Sequence, residues 1–137
     1  MSRRSNIKKD NDPLLSLTEK DRFTYVYEGL MTCKQFTALS PSARLLYLAC
    51  ASQRMSAKGL AHLHLFNQQH GTDYNEKNGY FTMPNRRIKD YGLKPDTCYR
   101  TAFKELINAG FIEVVEGNKH RHIENIYRLS TAWKKVK

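Results

Sequence analysis

Apolar and polar residues alternate near the start of the chain. Residues 22–28 (RFTYVYE) place aromatic side chains at every second position, with polar or β-branched residues between them. This two-residue period predicts a β-strand that carries Phe23, Tyr25 and Tyr27 on one face. Before it, residues 1–21 are polar, charged and interrupted by Pro13, and they predict a flexible arm.

A long apolar segment follows and predicts the central helix of the fold. Residues 30–39 indicate a short helix or turn that leads into Ser40-Pro41. Ser40 suits an N-cap and Pro41 the first helical position, because proline has no N–H to leave unpaired there. Residues 42–55 are apolar on nearly all sides, which is typical of a buried helix. Residues 56–79 remain open, as a helix or strand followed by a loop with a turn at Asn78-Gly79.

The second half of the chain predicts a fixed succession of short elements. Residues 80–83 form a strand, residues 85–91 a short helix, and residues 95–109 a longer helix ended by Gly110. Residues 111–115 and 123–129 are rich in β-forming residues and predict a hairpin. We therefore predict an α+β domain over residues 22–137, a winged helix-turn-helix with an additional N-terminal strand and helix and an inserted segment before the first wing strand.

The helix predicted over residues 95–109 has two chemically different faces. Apolar residues share one face at helical spacing: Tyr99, Ala102, Phe103, Leu106 and Gly110. Short polar and basic residues share the opposite face: Thr97, Arg100, Thr101, Lys104 and Asn108. A recognition helix needs this division, because it packs on the protein with one face and enters a DNA groove with the other.

The positions of polar residues within these elements predict a DNA-binding site. Arg100 is the strongest candidate for reading a base, because its planar guanidinium can pair with O6 and N7 of guanine. The preceding helix suits phosphate contacts, and the tip of the hairpin would form the wing. The predicted DNA-binding residues are Asn85, Arg86, Arg87, Lys89, Lys94, Thr97, Arg100, Thr101, Lys104, Asn118, Lys119, His120 and Arg121.

Charge is concentrated where this site lies. The chain has 23 basic and 13 acidic side chains, a net charge of +10. Residues 1–9 carry four basic side chains and no acid, residues 10–84 are neutral, and residues 85–137 carry twelve basic side chains against six acidic ones. Clustered cations release counterions when they bind phosphates, so we expect double-stranded DNA as the partner, with further contacts from the arm.

Other classes of protein are less well supported. No apolar stretch is long enough to cross a bilayer, and neither a signal peptide nor a basic amphipathic helix is evident. Three scattered cysteines, Cys33, Cys50 and Cys98, predict reduced thiols of a cytoplasmic protein and neither a disulfide framework nor a zinc site. We expect no cofactor and no metal.

Several segments resemble the N-terminal winged-helix domain of Gram-positive plasmid replication initiators and of related proteins from conjugative elements and phages. The matching segments lie between Tyr25 and Ser130: FTALSPSARLLYLACASQRMS, KNGYFTMP and KELINAGFIEVVEGNKHRHIENIYRLS. The resemblance implies origin recognition during replication or conjugative transfer, with helix 95–109 and the wing on DNA. It also implies that a relaxase, the replisome or a second copy of the chain could be a partner.

Three alternatives to that role stay open. Full-length initiators carry a further C-terminal domain, whereas this chain ends at Lys137, so transcriptional control of the same element is one alternative. Some winged helices bind other proteins, although the basic helix face argues against that. The third is catalysis: His62-Leu63-His64 has the His-hydrophobe-His form of metal-dependent DNA nickases, and on a strand both imidazoles would face one ion. We expect no enzyme, because the winged helix already accounts for the remaining chain.

Overall fold

The computed structural model describes residues 24–94, 97–118 and 123–135, which form an α+β fold. Within these ranges, six α-helices accompany a three-stranded antiparallel sheet and two short 3-10 helices. The helices are α1 (Glu28–Thr32), α2 (Lys34–Thr37), α3 (Pro41–Met55), α4 (Ala57–His70), α5 (Asn85–Asp90) and α6 (Thr97–Asn108). The strands are β1 (Tyr80–Phe81), β2 (Ile112–Asn118) and β3 (Ile123–Leu129), and the 3-10 helices span Glu76–Asn78 and Ala132–Lys135.

Helix α3 begins where its sequence predicts, at an N-cap serine followed by proline. The Ser40 hydroxyl accepts a hydrogen bond from the Ala43 N–H at 3.1 Å. The Ser40 backbone N–H and hydroxyl in turn donate to the two carboxylate oxygens of Glu105 on α6, at 2.7 and 2.8 Å. In a capping box the carboxylate comes from the third residue of the same helix, which here is Ala43. A distant glutamate therefore completes the cap and joins two helices.

The main core lies between α3, α6 and the sheet. Helix α3 packs against α6, and both contribute side chains that are almost completely buried, including Leu46 and Leu106. Phe36 from α2, together with Phe111 and Tyr47, forms a cluster of edge-to-face rings with centroids 5.7 to 5.9 Å apart. The prediction of a central helix is confirmed, although Leu45 lies on an exposed face of α3.

The hairpin and the short first strand form one sheet in the order β1-β3-β2. Strand β1 pairs with β3 through Tyr80 opposite Arg128 and Phe81 opposite Tyr127. Strand β2 pairs with β3 from Ile112 opposite Leu129 onwards. The predicted hairpin is therefore confirmed, and β2 extends three residues further toward the tip than the sequence indicates.

The N-terminal strand prediction is wrong for residues 24–27. These residues have no strand partner among those that the structure describes, and α1 begins at Glu28. An alternating segment becomes a strand only when a neighbouring strand accepts its hydrogen bonds, and here its tyrosines instead lie exposed. Phe23 and the predicted arm lie outside the described residues.

The ambiguous segment after α3 is a helix and not a strand. The Ser56 hydroxyl caps α4 by accepting the Gly59 N–H at 3.0 Å, and Gly71 ends the helix with a φ of +65°. Gly59 allows α4 to approach the end of α3, because a β-carbon there would overlap the carbonyl oxygen of Gln53. Leu63 and Phe66 pack with Ile126 in a second, smaller core. No helix in the described ranges has the length and apolar character required to cross a membrane.

Removing the Glu105 carboxylate should destabilise the fold. Glu105→Ala leaves the Ser40 N–H and hydroxyl without their acceptor and should lower the free energy of unfolding by about 1–3 kcal/mol. Glu113→Ala is the matched control, since that carboxylate lies 3.6 Å from Arg128 in a half-exposed pair and should contribute less than about 0.5 kcal/mol. Urea unfolding measures both variants, and equal losses would contradict the role of Glu105.

Candidate nucleic-acid interface

Helices α5 and α6 follow each other closely and carry most of the predicted DNA-binding residues. Helix α5 ends in a turn at Gly92, whose φ is +81°, and the Leu93 N–H closes this turn by donating to the Ile88 carbonyl at 3.1 Å. Ile88 and Leu93 are buried, so the second half of α5 and the turn after it pack against the core. The turn leads through residues 95–96, which lie outside the described ranges, to the start of α6.

Three of the predicted residues on α5, and one just after it, are exposed. Asn85, Arg86 and Lys89 lie on α5, and Lys94 lies between α5 and α6. An exposed cation can reach a polyanion without losing a partner inside the protein, so these residues are suited to phosphate contacts.

Arg87 differs from these neighbours because its side chain is already bound inside the protein. Its Nε donates to Gln53 Oε1 at 2.8 Å, and its Nη1 donates to Asp90 Oδ2 at 2.8 Å. Its Nη2 donates to the Tyr91 hydroxyl at 3.2 Å. Only 11% of the side chain is exposed. A phosphate contact would have to compete with this whole set, so the structure separates Arg87 from the exposed cations with which the sequence groups it.

The partners of Arg87 connect α5 to the end of α3. Gln53 is fully buried on α3, and the Tyr91 hydroxyl donates to Ser52 Oγ at 2.8 Å. The Arg87 guanidinium also lies against the Tyr91 ring, 5.1 Å from its centroid. Because hydrogen bonds require specific geometry, this network sets the direction in which α5 presents its exposed residues.

Helix α6 presents the two faces that its sequence predicts. Ala102, Phe103 and Leu106 are buried against the core, which confirms the apolar face. On the other face the side chains of Arg100, Thr101, Lys104 and Asn108 are exposed. Thr97 is the first residue of α6, and its side chain lies outside the described ones. These four exposed residues are two long cations and two short polar residues, and none of the four is acidic.

Strand β3 is attached to the inner face of α6 by aromatic contacts. The Tyr127 ring stacks between Phe103 and Phe81, with centroid distances of 4.7 and 5.7 Å. Asn125 Nδ2 donates to the Tyr127 hydroxyl at 3.2 Å. Burial raises the pKa of Tyr99, and its interaction with Tyr127 raises it further, so the Tyr99 hydroxyl stays neutral.

The wing is described only up to its tip. Asn118 is the last residue of β2, and its side chain is not among the described ones. Lys119, His120 and Arg121 lie outside the described residues, so their placement relative to α6 stays a prediction.

The histidine pair does not have the geometry that the nickase alternative requires. His62 and His64 lie on α4, where residues two apart project about 200° from each other. On a strand both imidazoles would face one side, but on a helix they cannot share one ion. Within the described ranges, no three His, Cys, Asp or Glu side chains lie close enough together to hold a metal.

Two of the three cysteines are free thiols, as predicted. Cys33 is half-buried, and Cys50 is buried in the main core. Burial raises the pKa of the Cys50 thiol, so it is not a reactive thiolate. The side chain of Cys98 lies outside the described ones.

Comparison with known proteins assigns neither a family nor a function to the chain. No protein-family model and no curated protein matches the sequence, and no solved structure matches the fold.

The sequence did not reveal that Arg87, one of the predicted DNA-binding residues, has a structural role instead. A local signal was present, because Asp90 and Tyr91 lie three and four residues after Arg87 and therefore share its helix face. The decisive partner, Gln53, lies 34 residues earlier and has no signature in the sequence.

Truncating Arg87 should cost stability, whereas truncating its neighbour should not. Arg87→Ala leaves the buried Gln53 carbonyl oxygen without its donor and should lower the free energy of unfolding by about 1–3 kcal/mol. Arg86→Ala removes an equal charge from an exposed position and should stay within about 0.5 kcal/mol of the parent. Urea unfolding without DNA tests this, and an unaffected Arg87→Ala protein would argue against the network.

Proposed function

We propose that this protein is a winged helix-turn-helix that binds double-stranded DNA with sequence preference through α6. The observation that carries the proposal is the exposed face of α6, with Arg100, Thr101 and Lys104 opposite a fully buried apolar face. A helix of this kind is anchored by one side and free to enter a major groove with the other.

The order of elements supports the winged-helix assignment. Helix α3, strand β1, helices α5 and α6 and the β2–β3 hairpin follow one another in the order that this fold requires. The short strand β1 pairs with β3 and not with β2, so β3 is the central strand of the sheet and β2 is an outer one. The hairpin is the wing of the proposal, with Lys119, His120 and Arg121 at its tip.

The proposed roles of the basic residues follow from their exposure. Arg100 reads a guanine edge, with Thr101 and Lys104 beside it in the groove. Arg86, Lys89 and Lys94 bind phosphates and position the protein without reading sequence. Arg87 holds α5 in place and is not among the phosphate contacts.

The biological role that we propose is recognition of an origin of replication or transfer in a mobile element. The support is the resemblance of residues 25–130 to plasmid replication initiators. Footprinting on DNA flanking the gene tests it. An array of direct repeats is expected, whereas a single palindromic site would instead indicate a transcriptional regulator.

Replacing Arg100 should relax the choice of base at one position. Arg100→Ala removes a bidentate contact and should weaken binding to the preferred site by about 1–3 kcal/mol, or roughly 5- to 150-fold, with a smaller loss on a site mutated at that base pair. Lys58→Ala on α4 is the matched control, because it removes an exposed charge outside the proposed interface. Binding titrations with both duplexes measure this, and equal losses on the two duplexes would contradict base reading.

The salt dependence of binding should distinguish phosphate contacts from Arg87. Arg86→Ala and Lys89→Ala should each reduce the slope of log K against log salt by about 0.9, because each removes one phosphate contact. Arg87→Ala removes no phosphate contact of its own, so it should leave the slope nearly unchanged as long as the variant stays folded. If Arg87→Ala were the only variant that reduced the slope, Arg87 would be the phosphate contact and Arg86 and Lys89 would not. If binding by the parent protein did not depend on salt, DNA binding through phosphates would be rejected.

A further inference from the structure

A cleft on the side of α3 is lined by aromatic rings and a guanidinium, and we name it the tyrosine cleft. Tyr25 and Tyr27 line it from the segment before α1, Tyr47 and Arg54 from α3, and Leu129 from the end of β3. Its volume is about 260 Å³, slightly below the range of about 300–1,000 Å³ that is usual for drug-sized ligands. The cleft therefore has room for one small ring system.

The two tyrosines at this cleft expose unusually large aromatic surfaces. Tyr25 is 70% exposed and Tyr27 is 73% exposed. Their rings meet edge to face, with centroids 5.5 Å apart and planes at 74°. In that arrangement the edge of one ring covers one face of the other, and the remaining ring faces are available to a further planar group.

Arg54 supplies the polar chemistry of the cleft. Its Nη1 donates to the Glu76 carbonyl at 2.8 Å, which fixes the guanidinium. Its Nε is buried and makes no hydrogen bond with the described residues, so a ligand in the cleft would meet Arg54 through its Nη groups. Burial raises the pKa of Tyr47, so its hydroxyl stays a neutral donor. No acidic side chain is among the residues that line the cleft, so it favours an anionic ligand with hydrogen-bond acceptors.

A nucleotide has both a planar ring system for the tyrosines and anionic acceptor groups for the guanidinium. A base offers a planar face for tyrosine and acceptors for Arg54, and its phosphates suit a cleft whose lining carries a guanidinium and no acidic side chain. A base inside a duplex is stacked between its neighbours and cannot offer that face, whereas an unpaired base can. A peptide would match the aromatic rings but would gain less from the charge.

We propose that the tyrosine cleft binds an unpaired nucleotide of single-stranded DNA, with the base stacked on Tyr25 or Tyr27 and an acceptor directed to Arg54. This site uses the segment before α1, helix α3 and the end of β3, and no predicted DNA-binding residue of α5 or α6 lines it. It therefore does not rest on the proposed duplex-binding function. Together the two sites would hold a duplex and an adjacent unpaired strand.

Fluorescence anisotropy with labelled (dT)15 tests the proposal on the full chain. The double variant Tyr25→Ala/Tyr27→Ala should weaken (dT)15 binding by roughly 5- to 150-fold for each stacked base, since stacking contributes about 1–3 kcal/mol. Tyr25→Phe/Tyr27→Phe keeps both ring faces and should bind like the parent. Leu65→Ala removes an apolar side chain of α4 that is 48% exposed and lies outside the cleft, and it should also have no effect. Duplex binding should be unchanged in all three variants.

Several results would overturn the proposal. Alanine variants that bind (dT)15 like the parent would reject the cleft, and phenylalanine variants as weak as the alanine ones would reject stacking. An equal loss of (dT)15 binding in Arg100→Ala would mean that single strands bind along α6.

Light scattering tests whether the tyrosines mediate self-association. They do so if the parent is a dimer, the alanine variant is a monomer and (dT)15 binding is unchanged. Ultraviolet crosslinking of (dT)15 should map to Tyr25 or Tyr27, and crosslinks confined to α6 would contradict the site.

Discussion

The packing of α3 against α6 is the contact on which the rest of the structure depends. Burial of the apolar face of α6, through residues such as Leu106, fixes the rotation of that helix about its own axis. Once the rotation is fixed, Arg100 and Lys104 can only face outward. Burial of apolar surface has no preferred direction, but the hydrogen bonds of Glu105 do, because both oxygens of its carboxylate bind Ser40, the N-cap residue of α3. The position of the candidate recognition surface is therefore a consequence of how the core closes.

The other parts of the candidate interface are tied to the same core by polar and aromatic contacts. Arg87 binds Gln53 at the end of α3 and so orients α5, while Tyr127 stacks on Phe103 and so attaches β3 to α6. The first attachment is a hydrogen bond to the buried Gln53 side chain, and the second is a stacking contact between two buried rings. Basic residues in one short helix thus divide into two kinds. Arg87 is committed to the scaffold, and exposed neighbours such as Arg86 remain available to a partner.

The two proposed sites differ in the physical property of DNA that each would recognise. The exposed face of α6 offers donors and cations, which suit base edges and phosphates of a duplex. The tyrosine cleft offers ring faces and one guanidinium, which suit a base that has left its stack. They lie on different elements, so each can be removed without the other. A protein that opens or processes an origin would need both kinds of contact, whereas a simple repressor would need only the first.

Local patterns in the sequence were sufficient for most helices and for the hairpin. The cap at Ser40, the two faces of α6 and the pairing of β2 with β3 depend on residues close together in the chain, where periodicity and turn chemistry operate. Tertiary structure decided that residues 24–27 have no strand partner among the described residues, that residues 57–70 form a helix and not a strand, and that Arg87 binds Gln53 and Glu105 binds Ser40. Those outcomes depend on partners that lie tens of residues away, and no short-range pattern encodes which buried group a side chain will meet.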